Sequence, residues 1–253
     1  MVSTKEIKEL LNTTDEGKWG HWVFTRLSVY LTKILLMLPI TANQVTILST
    51  ILGIIGVLFM TSKNDFYYIF GFLFICLYWI LDFSDGVIAR YKNCTSVRGK
   101  YLDSLGHLLV HPLMFLAIGV HLFNKSGDIL YLVIGLAVAL VFIFYFTNHK
   151  IYQVLNENKE KETKDNVSKK FSLSALGFKI QKSIRYLINV VAYFLLAKLI
   201  EYILSLYEIR SLYGINLNLT FYLLCFYLIV YSLLFFWQSI TYYKNLPGPQ
   251  NKS

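Results

Sequence analysis

Six apolar runs dominate the chain, at about residues 44–62, 66–82, 102–123, 129–147, 187–206 and 217–240. Each comes close to the roughly 20 residues a helix needs to cross a bilayer. A backbone inside lipid finds no water to bond, so each run is predicted to be α-helical. Ahead of the first run the pattern changes. Val23, Phe24, Leu27, Leu31, Ile34, Leu35 and Leu38 recur at three- and four-residue spacing, with Arg26 and Lys33 off that stripe. This period predicts an amphipathic helix lying in the membrane interface, with Trp19 and Trp22 at headgroup depth. Between the fourth and fifth runs, residues 156–170 are charged and poor in apolar side chains, which predicts a flexible loop.

The expected fold class is an all-α integral membrane protein: six transmembrane helices preceded by an amphipathic juxtamembrane helix. Three parts follow. Residues 1–43 form an N-terminal arm, 44–243 the six-helix domain, and 244–253 a tail. No internal repeat is visible.

Composition agrees with the pattern. Of the 253 residues, 56% are hydrophobic and only 15% charged, where a soluble domain carries about a quarter charged residues. The formal charge of +9 would suit either nucleic acid or an anionic membrane face. Its distribution selects the membrane and leaves no nucleic-acid partner. With the N-terminus cytoplasmic, segments 1–43, 83–100, 148–185 and 239–253 hold twenty of the 24 Lys and Arg. The outer loops hold Lys63, Lys125 and Arg210 only. That asymmetry predicts a multi-pass cell-membrane protein with both termini cytoplasmic. Cys76, Cys94 and Cys225 have no paired spacing, so neither a disulfide framework nor a zinc knuckle is expected. The polar start, with Lys5, Glu6, Lys8 and Glu9, does not read as a cleavable signal peptide.

One stretch breaks the apolar pattern: "LDFSDGVIARYKNCTSVRGKYLDSLGH", residues 81–107. Asp82, Asp85, Gly86 and Ala89 share one helix face at the end of the second span, at spacings of three, four and seven from Asp82. Gly99, Asp103 and His107 share a face at the start of the third. A hairpin through 91–98 lets the two faces meet. Carboxylates at membrane depth are costly and mark function. Three together repel one another unless a cation joins them, and oxygen ligands favour Mg²⁺ or Mn²⁺. Gly86, Ala89 and Gly99 leave room for a ligand beside the backbone, and Arg90 offers the guanidinium fork that suits phosphate. The site reads as one for a metal-bound pyrophosphate. Salt bridges from Arg90, Arg98 and Lys100 to the acids would not by themselves explain the joint spacing.

These residues resemble the signature of the CDP-alcohol phosphotransferases, also called CDP-alcohol phosphatidyltransferases, D-x2-D-G-x2-A-R-x8-G-x3-D-x3-D. Seven of its eight fixed positions are present with every gap correct: Asp82, Asp85, Gly86, Ala89, Arg90, Gly99 and Asp103. The segment "ITANQVTILS", 40–49, is similar to the family's Pro-Asn-x-x-Thr patch. Asn43 and Thr46 match, and Ala42 stands where proline is usual. The resemblance implies six transmembrane helices with a juxtamembrane N-terminal helix, a homodimer, and an active site open to the cytoplasm. It implies transfer of a phospho-alcohol group from a CDP-alcohol to a hydroxyl acceptor, either lipid or polyol phosphate, with release of CMP, as in phospholipid biosynthesis. By the same resemblance Asp82, Asp85 and Asp103 hold the metal. Gly86, Ala89 and Gly99 line the nucleotide pocket, Arg90 reaches phosphate, and Asn43 and Thr46 lie nearby.

The last fixed position departs from the family: His107 stands where the family has the aspartate taken to be the base. Three readings compete. His107 is the catalytic base, since imidazole titrates at about pH 6.5. Or it is a metal ligand. Or it marks a catalytically silent homologue that still binds nucleotide or lipid. With three carboxylates in place of four, one tightly held metal is expected.

Further along, His111 reads as a packing or hydrogen-bonding residue beside the helix-kinking Pro112, and His121 as interfacial. His149, Lys150, Lys179, Lys182 and Arg185 cluster where spans four and five meet the cytoplasm; they read either as ordinary cytoplasmic-side charge or as acceptor-binding positions. Lys198 and Glu201, three residues apart within span five, read as a mutual pair or as side chains that snorkel outward. A transporter is disfavoured, because the acids sit at span ends and no inverted repeat is visible.

Overall fold

The computed structural model describes residues 6–7, 9–10, 22–162, 200, 211–212, 215–216 and 218–245. Six helices of at least 15 residues appear among them: α1 (Trp22–Leu36), α2 (Ala42–Met60), α3 (Asp65–Tyr91), α4 (Val97–Ser126), α5 (Ile129–Glu162) and α6 (Leu219–Asn245). Five of these, α2 to α6, are long and apolar enough to cross a membrane. The span predicted at 187–206 lies outside the described residues, as do the predicted Lys198–Glu201 pair and Trp19.

Capping sets the helix starts. Thr41 and Gln44 form a reciprocal capping box on α2, Asn64 caps α3 and Ser96 caps α4. Each supplies a side-chain oxygen to an end N–H that has no partner within the helix. Gly127, at φ 76°, closes α4 in the left-handed region where glycine carries no Cβ penalty.

Two expectations need correcting. The charged stretch predicted as a loop is helical through Glu162, because α5 runs on past the apolar run. Its Glu and Lys residues are good helix formers and need no apolar partner to continue a helix already begun. A minimal antiparallel ladder, Ser211–Leu212 with Ile215–Asn216, interrupts the all-α pattern. Strands of two residues are too short to leave a period in the sequence.

α2 packs along α3, α4 crosses α2 and α5, α6 lies on α5, and α1 lies on α3. Two of these contacts depend on paired glycines. A Cβ on Gly71 would stand 2.6 Å from Gly56 O, and one on Gly135 would stand 2.9 Å from Gly119 Cα. Small residues let the backbones touch, which is how helices gain packing energy where water gives no hydrophobic drive. The core between them holds Tyr68, Phe72, Ile75, Val110, Met114, Phe115, Ile118 and Tyr227. Exposed large apolar residues such as Leu58, Phe66, Leu73, Phe144, Leu233 and Phe236 cover the outside, as lipid contact requires. On α1, Ser28, Val29, Thr32 and Leu35 are buried, while Leu27, Tyr30 and Ile34 stay exposed.

His121 is fully buried, and its Nδ1–H donates to Ser62 O at 2.6 Å while Nε2 lies 3.4 Å from Asp65. Asn124 donates to Thr61 O, and Lys125 pairs with Asp65 at 2.7 Å. A buried imidazole needs polar partners, and here they fasten the α2–α3 turn to the far end of α4.

The glycine contact gives a direct test. Gly71→Val should destabilise the fold by about 1–3 kcal/mol, the usual cost of overpacking, read as a lower thermal midpoint in detergent. An unchanged midpoint would mean that α2 and α3 are not in backbone contact.

Candidate active site

The signature residues gather at one end of the bundle, where α3 finishes and α2 and α4 begin. α3 carries Asp82, Asp85, Gly86, Ala89 and Arg90 in its last three turns. The chain then reverses in five residues. Asn93 adopts φ 51°, and the N–H groups of Lys92, Asn93 and Cys94 turn back to Ile88 O, Arg90 O and Ala89 O. Asn is among the residues that tolerate this left-handed conformation. Ser96 Oγ accepts the Gly99 N–H at 3.0 Å and starts α4, which carries Gly99, Asp103 and His107. Lys92 Nζ donates to Ile40 O at 2.7 Å and ties the reversal to the start of α2.

α2 brings Asn43 and Thr46 to the same place. A Cβ on Gly99 would lie 3.1 Å from Asn43 Oδ1, so that amide rests against the α4 backbone. Thr46 Oγ1–H donates to Asp85 Oδ2. Asp85 is buried, at 6% exposure. The Arg90 guanidinium folds back over Gly86, 3.3 Å from where a Cβ would stand. Gly106, one turn further along α4, abuts Thr50; a Cβ there would meet Thr50 Oγ1 at 2.7 Å.

The centre of the arrangement is His107. Its Nε2 lies 3.7 Å from Asp82 Oδ2 and 3.7 Å from Asp103 Oδ1. Single ligand atoms from these three residues all fall within 4.8 Å of one another. Two carboxylates and an imidazole at that separation fit a divalent cation. Asp85 belongs to a neighbouring position one turn on, held by Thr46. The Asp103 side chain is 37% exposed, so the cluster opens to the outside of the fold. His107 Nδ1 is 2.8 Å from the hydroxyl of Tyr78, itself only 1% exposed. His111 is buried one turn deeper; its Nδ1–H donates to His107 O at 3.1 Å and its ring stacks on Phe142. That matches its reading as a packing and hydrogen-bonding residue.

Tyr78 was not among the residues singled out by sequence. It precedes Asp82 by four positions and Asp85 by seven, so it shares their face. That spacing was the available signal, but among 19 tyrosines it did not stand out. Phe146 of α5 was also missed; its ring lies 6.0 Å from that of His107. Lys150 Nζ sits 5.3 Å from the Phe146 centroid, a cation–π distance. His149 Nδ1 is 2.7 Å from Tyr242 Oη on α6, and Gln153 is 3.1 Å from its Nε2. These contacts hold His149 against α6. Lys179, Lys182 and Arg185 lie outside the described residues.

No curated protein matches the chain. The family profile described as CDP-alcohol phosphatidyltransferase, however, matches residues 39–237, from the loop before α2 almost to the end of α6. Members of that family move a phospho-alcohol group from a CDP-alcohol to an alcohol acceptor and generally need a metal. The match spans most of the sequence and both helices that carry the facing acids, so this membrane protein belongs to the CDP-alcohol phosphatidyltransferase family.

Proposed function

We propose that the protein transfers a phospho-alcohol group from a CDP-alcohol to a hydroxyl acceptor and releases CMP, at the cytoplasmic face of the cell membrane. The observation that carries this reading is the convergence of Asp82 and Asp103 on His107 Nε2, with Nδ1 held by Tyr78. Asp82 and Asp103 would hold one divalent metal, Mg²⁺ or Mn²⁺, and Asp85, one turn away and bonded to Thr46 here, would turn in as the third carboxylate. Bound there, the cation would supply charge neutralisation at the pyrophosphate and at the departing CMP oxygen. Arg90 reaches phosphate, and Gly86, Ala89 and Gly99 give the nucleotide room beside the backbone, with Asn43 and Thr46 alongside.

One ring nitrogen cannot both coordinate a cation and accept a proton, and Nδ1 is engaged by Tyr78. Nε2 therefore has a single role, and we assign it as the base. Three carboxylates suffice for a hard cation, while a proton must leave the acceptor. The role requires the tautomer in which Nδ1–H donates to Tyr78 Oη and the Nε2 lone pair is open. The acceptor hydroxyl gives its proton to Nε2 as its oxygen bonds to the phosphorus that bears the alcohol. The bond from that phosphorus to the bridging oxygen breaks, and CMP leaves with the electron pair. The imidazolium so formed faces two carboxylates at 3.7 Å, which favour it electrostatically. Tyr78 acts through His107 as a positioning residue.

His149 and Lys150, at the same end of α5, are proposed to meet the acceptor. The exposed Leu27, Tyr30 and Ile34 suit an interfacial α1. The Lys and Arg asymmetry supports cytoplasmic termini. Within the family, a homodimer is the working assembly.

Three measurements test this. His107→Ala should lower kcat for CMP release by about a hundred- to ten-thousand-fold and leave CMP affinity intact; full transfer activity in the variant would remove His107 as the base. Tyr78→Phe should lower kcat by roughly 10–100-fold, as loss of a partner that orients a site residue does, without changing the donor KM. A rise in donor KM at constant kcat would point to pocket shape instead. In Mn²⁺-loaded protein, electron spin echo spectra should show no nitrogen coupling. A coupling present in wild type and lost in His107→Ala would reassign His107 as a ligand.

A further inference from the structure

The first turns of α4 carry exposed apolar surface. Val97, Tyr101, Leu105, Leu109 and Leu113 recur at four-residue spacing, and all five are exposed. The last three, at 37–39%, belong to the lipid-facing outside of the bundle. Val97 and Tyr101 continue the stripe to the start of the helix, at 84% and 66%. An apolar side chain left so open is costly in water. A tyrosine one turn further in has the ring and the hydroxyl that suit the boundary between lipid and headgroups. The stripe therefore sets the start of α4 at that boundary.

The same stretch is basic. From Gly86 to Leu102 the chain holds Arg90, Lys92, Arg98 and Lys100 and no acid. Arg90 lies over Gly86 in the site, and Lys92 is tied to Ile40 O. Arg98 and Lys100 are exposed, and neither has a carboxylate partner among the described residues. On a helix of 3.6 residues per turn they fall about 100° to one side of Val97 and about 60° to the other. A cation thus flanks the apolar stripe on each side. Tyr91, the last residue of α3, is exposed as well. Water would solvate the two cations, but it does not account for the open apolar side chain between them. A phospholipid accounts for both, with negative charge for Arg98 and Lys100 and an apolar layer for Val97.

We infer that the α3–α4 reversal is a docking surface for anionic phospholipid, with Arg98 and Lys100 on the headgroup and Val97 and Tyr101 against the acyl boundary. The guanidinium fork of Arg98 suits a phosphodiester, and Lys100 adds a point charge. Two cations without carboxylate partners favour a lipid of net negative charge over a zwitterionic one. The surface lies between Arg90 and Gly99, inside the longest gap of the signature. Lipid held there braces the hairpin that brings Asp82 and Asp103 to one imidazole. The inference rests on the membrane spans and is independent of the transfer reading.

The test uses the full-length protein in detergent at physiological ionic strength. It is titrated with dioleoyl-phosphatidylglycerol or dioleoyl-phosphatidylcholine, and bound lipid is read by native mass spectrometry. Wild type should prefer phosphatidylglycerol. Arg98→Gln with Lys100→Gln should bind it roughly 10–30-fold more weakly, the scale of two basic residues at a membrane surface, and bind phosphatidylcholine as before. Arg98→Lys with Lys100→Arg, which keeps both charges, should stay within about threefold of wild type. Lys159→Gln with Lys161→Gln removes the same charge from α5 and should also change little. Excess CMP with Mn²⁺ should leave the lipid bound. Equal binding of the two lipids by wild type, or full phosphatidylglycerol binding by the double Gln variant at 98 and 100, overturns the inference. So does an equal loss in the α5 variant, which would make the attraction one of overall charge. Displacement of the lipid by CMP would place it in the nucleotide site and overturn the inference as well. None of these outcomes removes the transfer reading, which stands or falls on CMP release.

Discussion

Negative charge held at the edge of an apolar layer is the constraint on which the rest of this protein depends. Asp82 and Asp103 come from different helices, and both approach one imidazole nitrogen at 3.7 Å. Asp85 is more deeply buried and keeps a hydroxyl from Thr46. Carboxylates in such surroundings are tolerated only beside a donor or a cation. The neighbouring residues are arranged accordingly. Thr46 comes from α2, His107 from the next turn of α4, and Arg90 lies over Gly86 on the helix of the acids. Each partner arrives from a helix end held by a cap or a backbone hydrogen bond, so the chemistry and the folding of this end of the bundle share the same contacts.

Such a cluster is useful only if its parts stay in place. The α2–α3 and α4–α5 contacts run through paired glycines that leave no space for sliding. At the far end of the bundle, His121, Asn124 and Lys125 fasten α4 to the α2–α3 turn. Three helices pinned at both ends give a rigid frame, and reacting groups need to be held to within fractions of an ångström. His111, stacked on Phe142 and bonded to His107 O, carries that rigidity from the aromatic core to the imidazole.

Much of the architecture was legible because lipid imposes a blunt rule. Long apolar runs had to be helices, and five of the six predicted spans correspond to helices described in the structure. The facing of Asp82 and Asp103 was legible because three- and four-residue spacing fixes a helix face. The helical continuation of α5 through Glu162 was not, since low apolar content distinguishes neither a solvated helix from a loop nor a helix that only needs extending. The burial of His121 was not legible for a related reason: position near a span end says nothing about whether a neighbouring turn supplies carbonyls to bury a side chain.

By itself, the sequence determined the membrane-spanning helices, the residues on each face of the hairpin, and the family to which their spacing belongs. All three follow from local geometry and the cost of polar groups in lipid. Only the tertiary structure decided which faces meet and at what depth. It gave His107 Nδ1 to Tyr78 and Nε2 to the two aspartates, set Asp85 against Thr46, and brought Phe146 of α5 against the imidazole. It also buried the carboxamide of Gln238 with no hydrogen-bond partner among the described residues. Those outcomes depend on how far helices approach and in what register they pack, which is settled by pairs such as Gly56 with Gly71. No single stretch of sequence contains both halves of such a contact.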